Sequence, residues 1–144
     1  MRIIGLDVGT KTIGVAVSDI MGWTAQGITT VKRSDPDSDV IEIKKLIEEF
    51  EAEQVMIGLP LNMNGSAGPS VDMVRQFGDQ LEAEINIPIV YRDERMSTIA
   101  AERYLLEGDV SRKKRKKVID KMAAVFVLQG YLDYLANNGG SDQI

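Results

Sequence analysis

Three acidic residues lie in or beside segments that are otherwise apolar. Asp7 lies within the run IIGLDV, Glu94 lies just past the run IPIVY, and Asp120 interrupts the apolar part of KKVIDKMAAVFVL. A buried carboxylate is costly unless it is paired with a base or bound to a metal ion. Two carboxylates about 4 Å apart repel by roughly 4 kcal/mol at an effective dielectric near 20, and one divalent cation reverses that sign. If the fold gathers these acids, they predict a metal site.

The chain contains neither histidine nor cysteine, and this absence excludes many chemistries. A Ser-His-Asp triad, a thiolate nucleophile and a Cys/His zinc site are all impossible. Any metal must be held by oxygen ligands, which favours Mg²⁺ or Mn²⁺. Together, Asp7, Glu94 and Asp120 are predicted to hold such an ion, which can activate water and stabilise a leaving oxygen on phosphate.

Taken singly, Glu94 and Asp120 also have simpler interpretations. Glu94 lies in the segment RDER, which is typical of an exposed charged turn. Asp120 could pair with Lys116 or Lys117, three or four residues earlier on the same helix. Those lysines would then have to follow it onto a buried face, because the residues one helical turn ahead of Asp120 are small and apolar.

The charge distribution indicates where a nucleic acid could bind. The net charge of −5 argues against non-specific coating of nucleic acid, yet residues 112–117 form the continuous basic block RKKRKK. Such a block on an acidic protein can bind phosphates, or it can be a solvated helix face. The loop GLPLNMNGSAGPS supplies glycines before a helix N-terminus and the polar residues Asn62, Asn64 and Ser66, which suits a phosphate or ribose cradle.

The hydrophobic pattern predicts a mixed sheet covered by helices. An antiparallel meander of three strands is followed by alternating strands and helices, so two further strands join the sheet in parallel. VGTKT supplies the first turn, where Gly9 can take a positive φ. Asp35 and Pro36 are suited to begin one helix and Pro69 another. The predicted strands span 2–8, 12–18, 27–32, 54–59 and 87–92, and the two later helices span about 97–108 and 111–137.

The length of 144 residues suits a single domain, which we place at residues 1–138 with a flexible tail at 139–144. The first residues lack the apolar stretch of a signal peptide, and no apolar run is long enough to cross a membrane. We therefore expect a cytoplasmic protein without membrane contact.

Four blocks of the sequence resemble the YqgF family in the correct order. They are GLDVGTKTIGVAVSD, GLPLNMNGSAGP, DERMST and IDKMAAVFVLQGYL, and they extend the resemblance from residue 2 to about residue 135. The family comprises pre-16S ribosomal RNA nucleases and Holliday-junction-resolvase-like proteins. The resemblance implies a ribonuclease H-like fold, and it implies that the family's acidic site residues fall on Asp7, Glu94 and Asp120.

The acidic residues predict a hydrolase of the two-metal-ion type that acts on phosphodiester bonds, and the resemblance implies that its substrate is the 5′ end of precursor 16S rRNA. Asp7 would bridge two metal ions, and Glu94 and Asp120 would complete the ligand set. Six basic side chains of the block and two others would orient the nucleic-acid backbone: Lys11, Arg95, Arg112, Lys113, Lys114, Arg115, Lys116 and Lys117.

Two alternatives remain open at this point, and a third is disfavoured. The same chemistry could resolve four-way DNA junctions, which needs paired cuts and usually a dimer, whereas we expect a monomer or at most a weak dimer. The protein could instead be a ribosome-assembly factor that binds RNA without cleaving it. An actin-like nucleotide switch is disfavoured, since such proteins close two of these domains on ATP and the chain has room for one.

Overall fold

A mixed five-stranded sheet carries helices on both of its faces. The structure is a computed structural model that describes residues 1–60, 68–93 and 112–142, and in the last range the side chains of 122–137. Its elements are β1 Ile3–Val8, β2 Thr12–Ser18, β3 Ala25–Lys32, α1 Pro36–Glu49, β4 Gln54–Leu59, α2 Pro69–Glu84, β5 Ile89–Asp93 and α3 Arg112–Asp142.

The strand order is β3-β2-β1-β4-β5. Antiparallel pairing joins β1 to β2 and β2 to β3, and parallel pairing joins β1 to β4 and β4 to β5. The predicted architecture of a three-stranded meander extended by two parallel strands is therefore confirmed. The parallel pairing brings the carboxyl ends of β1, β4 and β5 to one edge of the sheet, where ligands of open α/β sheets gather.

The two faces of the sheet are buried against different helices. Residues at alternate positions of β1, β2 and β4 pack with α1 and α2, and this cluster includes Leu6, Ile57 and Phe77. The intervening positions pack under α3, where Ala16 and Leu128 belong to a second cluster. Alternation with a period of two residues explains why one strand supplies both cores.

Local sequence signals set the beginnings of two helices as predicted. Pro36 is the first residue of α1, and the Asp35 carboxylate caps that helix by accepting a hydrogen bond of 2.9 Å from the Ser38 backbone N–H. Pro69 is likewise the first residue of α2. Proline suits this position because the first helical N–H groups have no partner within the helix.

Other boundaries differ from the prediction. β5 lies at Ile89–Asp93 instead of 87–92, since Pro88 has no N–H to donate to the sheet and only its carbonyl is used, by the Val55 N–H. β3 begins two residues earlier than predicted, at Ala25. Helix α3 continues to Asp142, within the segment predicted as a tail. The helix predicted near 97–108 lies outside the described residues.

The prediction that Gly9 uses a positive φ is wrong. Among the described glycines, the positive φ belongs to Gly22, at 74°. Gly9 instead serves close approach, because its N–H donates to the Thr12 carbonyl at 2.8 Å and an added Cβ would lie 3.0 Å from that oxygen. In the described part of the chain, no helix is long and apolar enough to cross a membrane.

Candidate active site

Asp7 is the penultimate residue of β1 and lies on the face of the sheet that α3 covers. Ile4, Leu6 and Val8 point to the opposite core, whereas Ile3 packs with the residues of α3. The two-residue alternation of a strand therefore assigns Asp7 to the α3 side. Its side chain is half-buried, in contrast to its apolar neighbours in β1.

Glycines lie beside Asp7 in the two neighbouring strands. Asp7 pairs with Gly14 of β2. On the other side Leu6 pairs with Ile57, so the same register carried one residue further brings Gly58 of β4 level with Asp7. Directly paired residues project from the same face of a sheet. At the level of Asp7, therefore, the residue in each neighbouring strand is a glycine, which contributes no side chain to this row.

The next residue along this row is Arg92 of β5, which pairs with Gly58. Adjacent strands are about 4.8 Å apart, so the backbone positions of Asp7 and Arg92 are separated by roughly 10 Å. β5 ends at Asp93, which pairs with Leu59. The chain therefore leaves β5 for residue 94 at the edge where β1 ends in Asp7 and Val8.

Helix α3 crosses β1 in close contact and in the opposite direction. A Cβ added to Gly5 would lie 2.9 Å from the Leu128 Cβ, so the helix approaches the strand where the strand has no side chain. Further back along β1, Ile3 shares a cavity with Leu132. From Ile3 to Gly5 the strand advances about 6.6 Å, and from Leu132 to Leu128 the helix advances about 6 Å, so these two contacts are spaced alike along both elements. Going from Leu128 toward the beginning of α3 therefore leads toward Asp7.

An internal ion pair fixes the turn that follows Asp7. The Arg33 Nε donates to Asp39 Oδ2 at 3.1 Å and its Nη1 donates to the Gly9 carbonyl at 3.0 Å. The Arg33 backbone N–H donates to the Lys11 carbonyl at 2.9 Å. Asp39 is 1% exposed and also accepts from the Ser34 N–H at 3.0 Å. Both ends of the turn are thus tied to the beginning of α1.

Sequence reasoning missed this pair, although one signal was present. Asp39 is in the first turn of α1 and precedes Val40 on a buried stripe that continues with Ile43 and Ile47. Like Asp7, Asp39 is an acid among apolar residues, and an acid in such a place predicts a buried carboxylate that has a partner. The partner Arg33 could not be assigned, because residues 32–35 give no pattern that indicates contact with Asp39.

The described residues contain part of the predicted site. Asp7 is half-buried on the α3 side, and Lys11 is exposed in the turn that follows. Glu94, Arg95, Asn62, Asn64 and Ser66 lie outside the described residues. Asp120 and the basic residues 112–117 belong to α3, and their side chains are outside the description. Within the described part of the chain, no three acids form a group that could hold a metal ion.

Comparison with known proteins assigns the family. The family model described as "RuvX: Holliday junction resolvase" matches residues 1–134. The chain belongs to the RuvX family. RuvX and YqgF are names of one family, so this result confirms the resemblance to the YqgF family that the four sequence blocks indicate.

RuvX relatives are similar to the chain over nearly its whole length. A protein of Moorella thermoacetica named "Putative pre-16S rRNA nuclease" is 54% identical over 139 residues, which cover 96% of this chain and 99% of that protein. A protein of the same name from Clostridioides difficile is 56% identical over 137 residues, covering 95% and 97%.

Solved structures support the ribonuclease H-like fold of this RuvX chain. RuvC of Thermus thermophilus in complex with a Holliday junction substrate superposes with a TM-score of 0.61 at 17% identity, covering 96% of this chain and 97% of that one. The yeast mitochondrial Holliday junction resolvase Ydc2 gives a TM-score of 0.59 at 12% identity, covering 96% and 80%. At these identities the likeness concerns the fold alone.

Proposed function

We propose that the protein is a metal-dependent nuclease that hydrolyses phosphodiester bonds during maturation of the 5′ end of pre-16S rRNA. The observation that carries the proposal is the position of Asp7. It lies on the α3 face at the carboxyl end of β1, half-buried, with glycines at its level in both neighbouring strands. The family assignment and the names of relatives that are about half identical support the substrate.

The geometry supports Glu94 as a second member of the site. Residue 94 directly follows Asp93, and consecutive Cα atoms are 3.80 Å apart. Asp93 ends β5 at the edge of the sheet at which β1 ends, so Glu94 would follow at that edge. A carboxylate that follows a strand at this edge can reach a ligand held between the strand ends.

The course of α3 supports Asp120 as the third member. Position 120 precedes Ala124 by four residues and Leu128 by eight, and Leu128 contacts β1 at Gly5. Helical residues four apart share a face. Asp7 is two strand residues beyond Gly5 in the direction in which the helix leads back toward position 120. Asp7, Glu94 and Asp120 would thereby meet at one edge of the sheet.

The donor set suits a hard divalent cation. Carboxylate oxygens are the ligands that Mg²⁺ and Mn²⁺ prefer, and the chain offers no imidazole or thiolate in competition. When bound, the cation would lower the pKa of the attacking water and neutralise charge on the leaving oxygen. Asp7, Glu94 and Asp120 would hold the cation through their carboxylate oxygens, and the products of hydrolysis would carry a 5′-phosphate and a 3′-hydroxyl.

Basic residues around this edge would position the nucleic-acid backbone. Lys11 is exposed in the turn after β1, and Arg33 and Asp39 hold that turn to α1. Arg95, the block 112–117 and the loop residues Asn62, Asn64 and Ser66 would add further contacts to phosphate or ribose. We further propose that the protein acts in the cytoplasm as a monomer.

The first experiment compares metal-dependent cleavage of labelled pre-16S rRNA by the wild type and by Asp7→Asn. The variant should lose cleavage in Mg²⁺ or Mn²⁺ while its circular dichroism spectrum stays unchanged, because Asn keeps the shape and removes the charge. Asp37→Asn is the matched control, since Asp37 is exposed on α1 on the other side of the sheet. Cleavage by Asp7→Asn at the wild-type rate would refute the site.

A second candidate substrate is the four-way DNA junction. The description of the matching family model and the junction bound to the RuvC neighbour favour it. The same cleavage assay with junction DNA, together with sedimentation in its presence, decides between the two. Paired symmetric cuts by a dimer would favour the junction, whereas a monomer that cleaves only the precursor would favour rRNA. Binding of precursor without any cleavage would indicate a non-catalytic assembly factor.

A further inference from the structure

Arg92 contacts two tyrosine rings of α3. Its guanidinium carbon lies 5.6 Å from the ring centroid of Tyr131 and 4.7 Å from that of Tyr134. Tyr131 is buried, and its hydroxyl donates to Gln54 Oε1 at 3.1 Å, which fixes the ring against the beginning of β4. Tyr134 is 43% exposed. The result is a guanidinium held in place on one side of an accessible aromatic ring.

The positive charge of Arg92 lies beside these two rings. Among the residues that the structure describes, no carboxylate forms an ion pair with Arg92. A cation–π contact engages the charge of a guanidinium with a ring face and does not use its N–H donors in hydrogen bonds, so its five donors could bind phosphate in a bidentate manner. The contacts with Tyr131 and Tyr134 therefore orient the group without using its donors.

The location of Arg92 connects it with the proposed metal site. Arg92 is in the row of Asp7 on the α3 face, two strands away. It precedes Glu94 by two residues, so their Cα atoms are at most about 7.6 Å apart. β5 is the edge strand of the sheet that the described residues form.

We infer that Arg92 and Tyr134 form a binding subsite for an unpaired nucleotide of the substrate, with its base stacked on Tyr134 and its phosphate bound by Arg92. The inference rests on the proposed nuclease function and defines the substrate class more closely. Every base has a π-face that an exposed ring can stack on, but in a duplex these faces are already covered by neighbouring bases. The subsite thus selects a single-stranded segment next to the phosphate that is cleaved.

The test measures binding separately from cleavage. Fluorescence anisotropy with a short labelled single-stranded RNA, in the presence of EDTA, reports affinity when no divalent metal is available. Tyr134→Ala should weaken binding by about 5- to 100-fold, as expected for the loss of one base-stacking contact. Tyr134→Phe should bind like the wild type, because stacking needs the ring and not the hydroxyl. The same RNA annealed to its complement should bind the wild type and Tyr134→Ala equally.

Two substitutions of Arg92 test separately the role of its positive charge and the role of its planar arrangement of donors. Arg92→Ala should reduce the slope of log affinity against log salt by about one, as expected for one lost phosphate contact. Arg92→Lys should keep that slope and still bind more weakly, because an ammonium lacks the planar donor arrangement. Thermal unfolding of each variant separates this role from a purely structural one, in which stability falls while affinity does not.

Trp23→Ala is the matched control. Trp23 is an aromatic residue 67% exposed in the β2–β3 hairpin, beside the opposite edge strand of the sheet. Its removal should leave RNA affinity unchanged. Equal losses in Tyr134→Ala and Trp23→Ala, or wild-type affinity of Tyr134→Ala, would overturn the subsite. Neither result would bear on the nuclease function, which depends on metal-dependent cleavage and its loss in Asp7→Asn.

Discussion

Replacing Gly5 by alanine tests whether α3 must approach β1 closely for the site to form. The added Cβ would lie 2.9 Å from the Leu128 Cβ and 3.2 Å from the Met56 Cε. The Met56 methyl is the end of a flexible side chain and can move away. The Leu128 Cβ is attached to the backbone of α3, so relief of that contact requires the helix itself to move.

The displacement of α3 expected in Gly5→Ala follows from the normal separation of nonbonded carbon atoms. Nonbonded carbons prefer about 3.5–4.0 Å, so α3 must move away from β1 by roughly 0.6–1 Å. Overpacking of this kind costs about 1–3 kcal/mol of unfolding free energy. If Asp120 moves with the helix, cleavage should fall by about 10- to 100-fold, because a misplacement near 1 Å has effects of that order.

Urea unfolding measures the loss of unfolding free energy in Gly5→Ala. Metal-dependent cleavage of labelled precursor measures the fall in activity. Gly130→Ala is the control on the same helix, since nothing lies within 4 Å of the position that its Cβ would take. This change should stabilise the protein by about 0.5–1 kcal/mol through helix propensity and leave cleavage intact. An unchanged unfolding midpoint together with wild-type cleavage in Gly5→Ala would refute the reasoning.

Three further predictions concern the elements around the site. Asp39→Ala should lower the unfolding free energy by about 3–5 kcal/mol, because the Arg33 side chain, which is only 15% exposed, loses the carboxylate that pairs with it. If the losses of Asp39→Ala and Arg33→Met are additive in a double-mutant cycle, the two residues are not coupled. Gly22→Ala should cost about 1–2 kcal/mol in the same urea assay, since φ is 74° there, and an unchanged midpoint would argue against strain. The third concerns Asp35, whose pKa lies below its ordinary value of 3.8, mainly because its carboxylate accepts the Ser38 backbone N–H. The stabilisation by this cap is complete above the ordinary value and is lost as pH falls through the lower folded value. Asp35→Asn should therefore flatten the acid dependence of helix content measured by circular dichroism, and an unaltered acid profile would exclude the cap as its cause.

Local signals in the sequence were sufficient for most of the fold. The limits of β2 and β4 agree with the prediction, and the beginnings of α1 and α2 followed from Asp35, Pro36 and Pro69. These features depend on a few neighbouring residues, whose side-chain period and capping chemistry act within one element. The limits of β5 were missed because hydrophobicity extends to Ile87, whereas the missing N–H of Pro88 delays the start of the strand.

The sequence by itself also determined which chemistry is possible, since the absence of histidine and cysteine leaves oxygen ligands alone, and it identified Asp7 as an acid within an apolar strand. Only the tertiary structure decided what surrounds Asp7. The register of β1 with its neighbours brings Gly14 and Gly58 to the level of Asp7, and the path of α3 brings Tyr134 to Arg92. Such contacts join residues that are distant along the chain, and the packing of two cores on one sheet selects them.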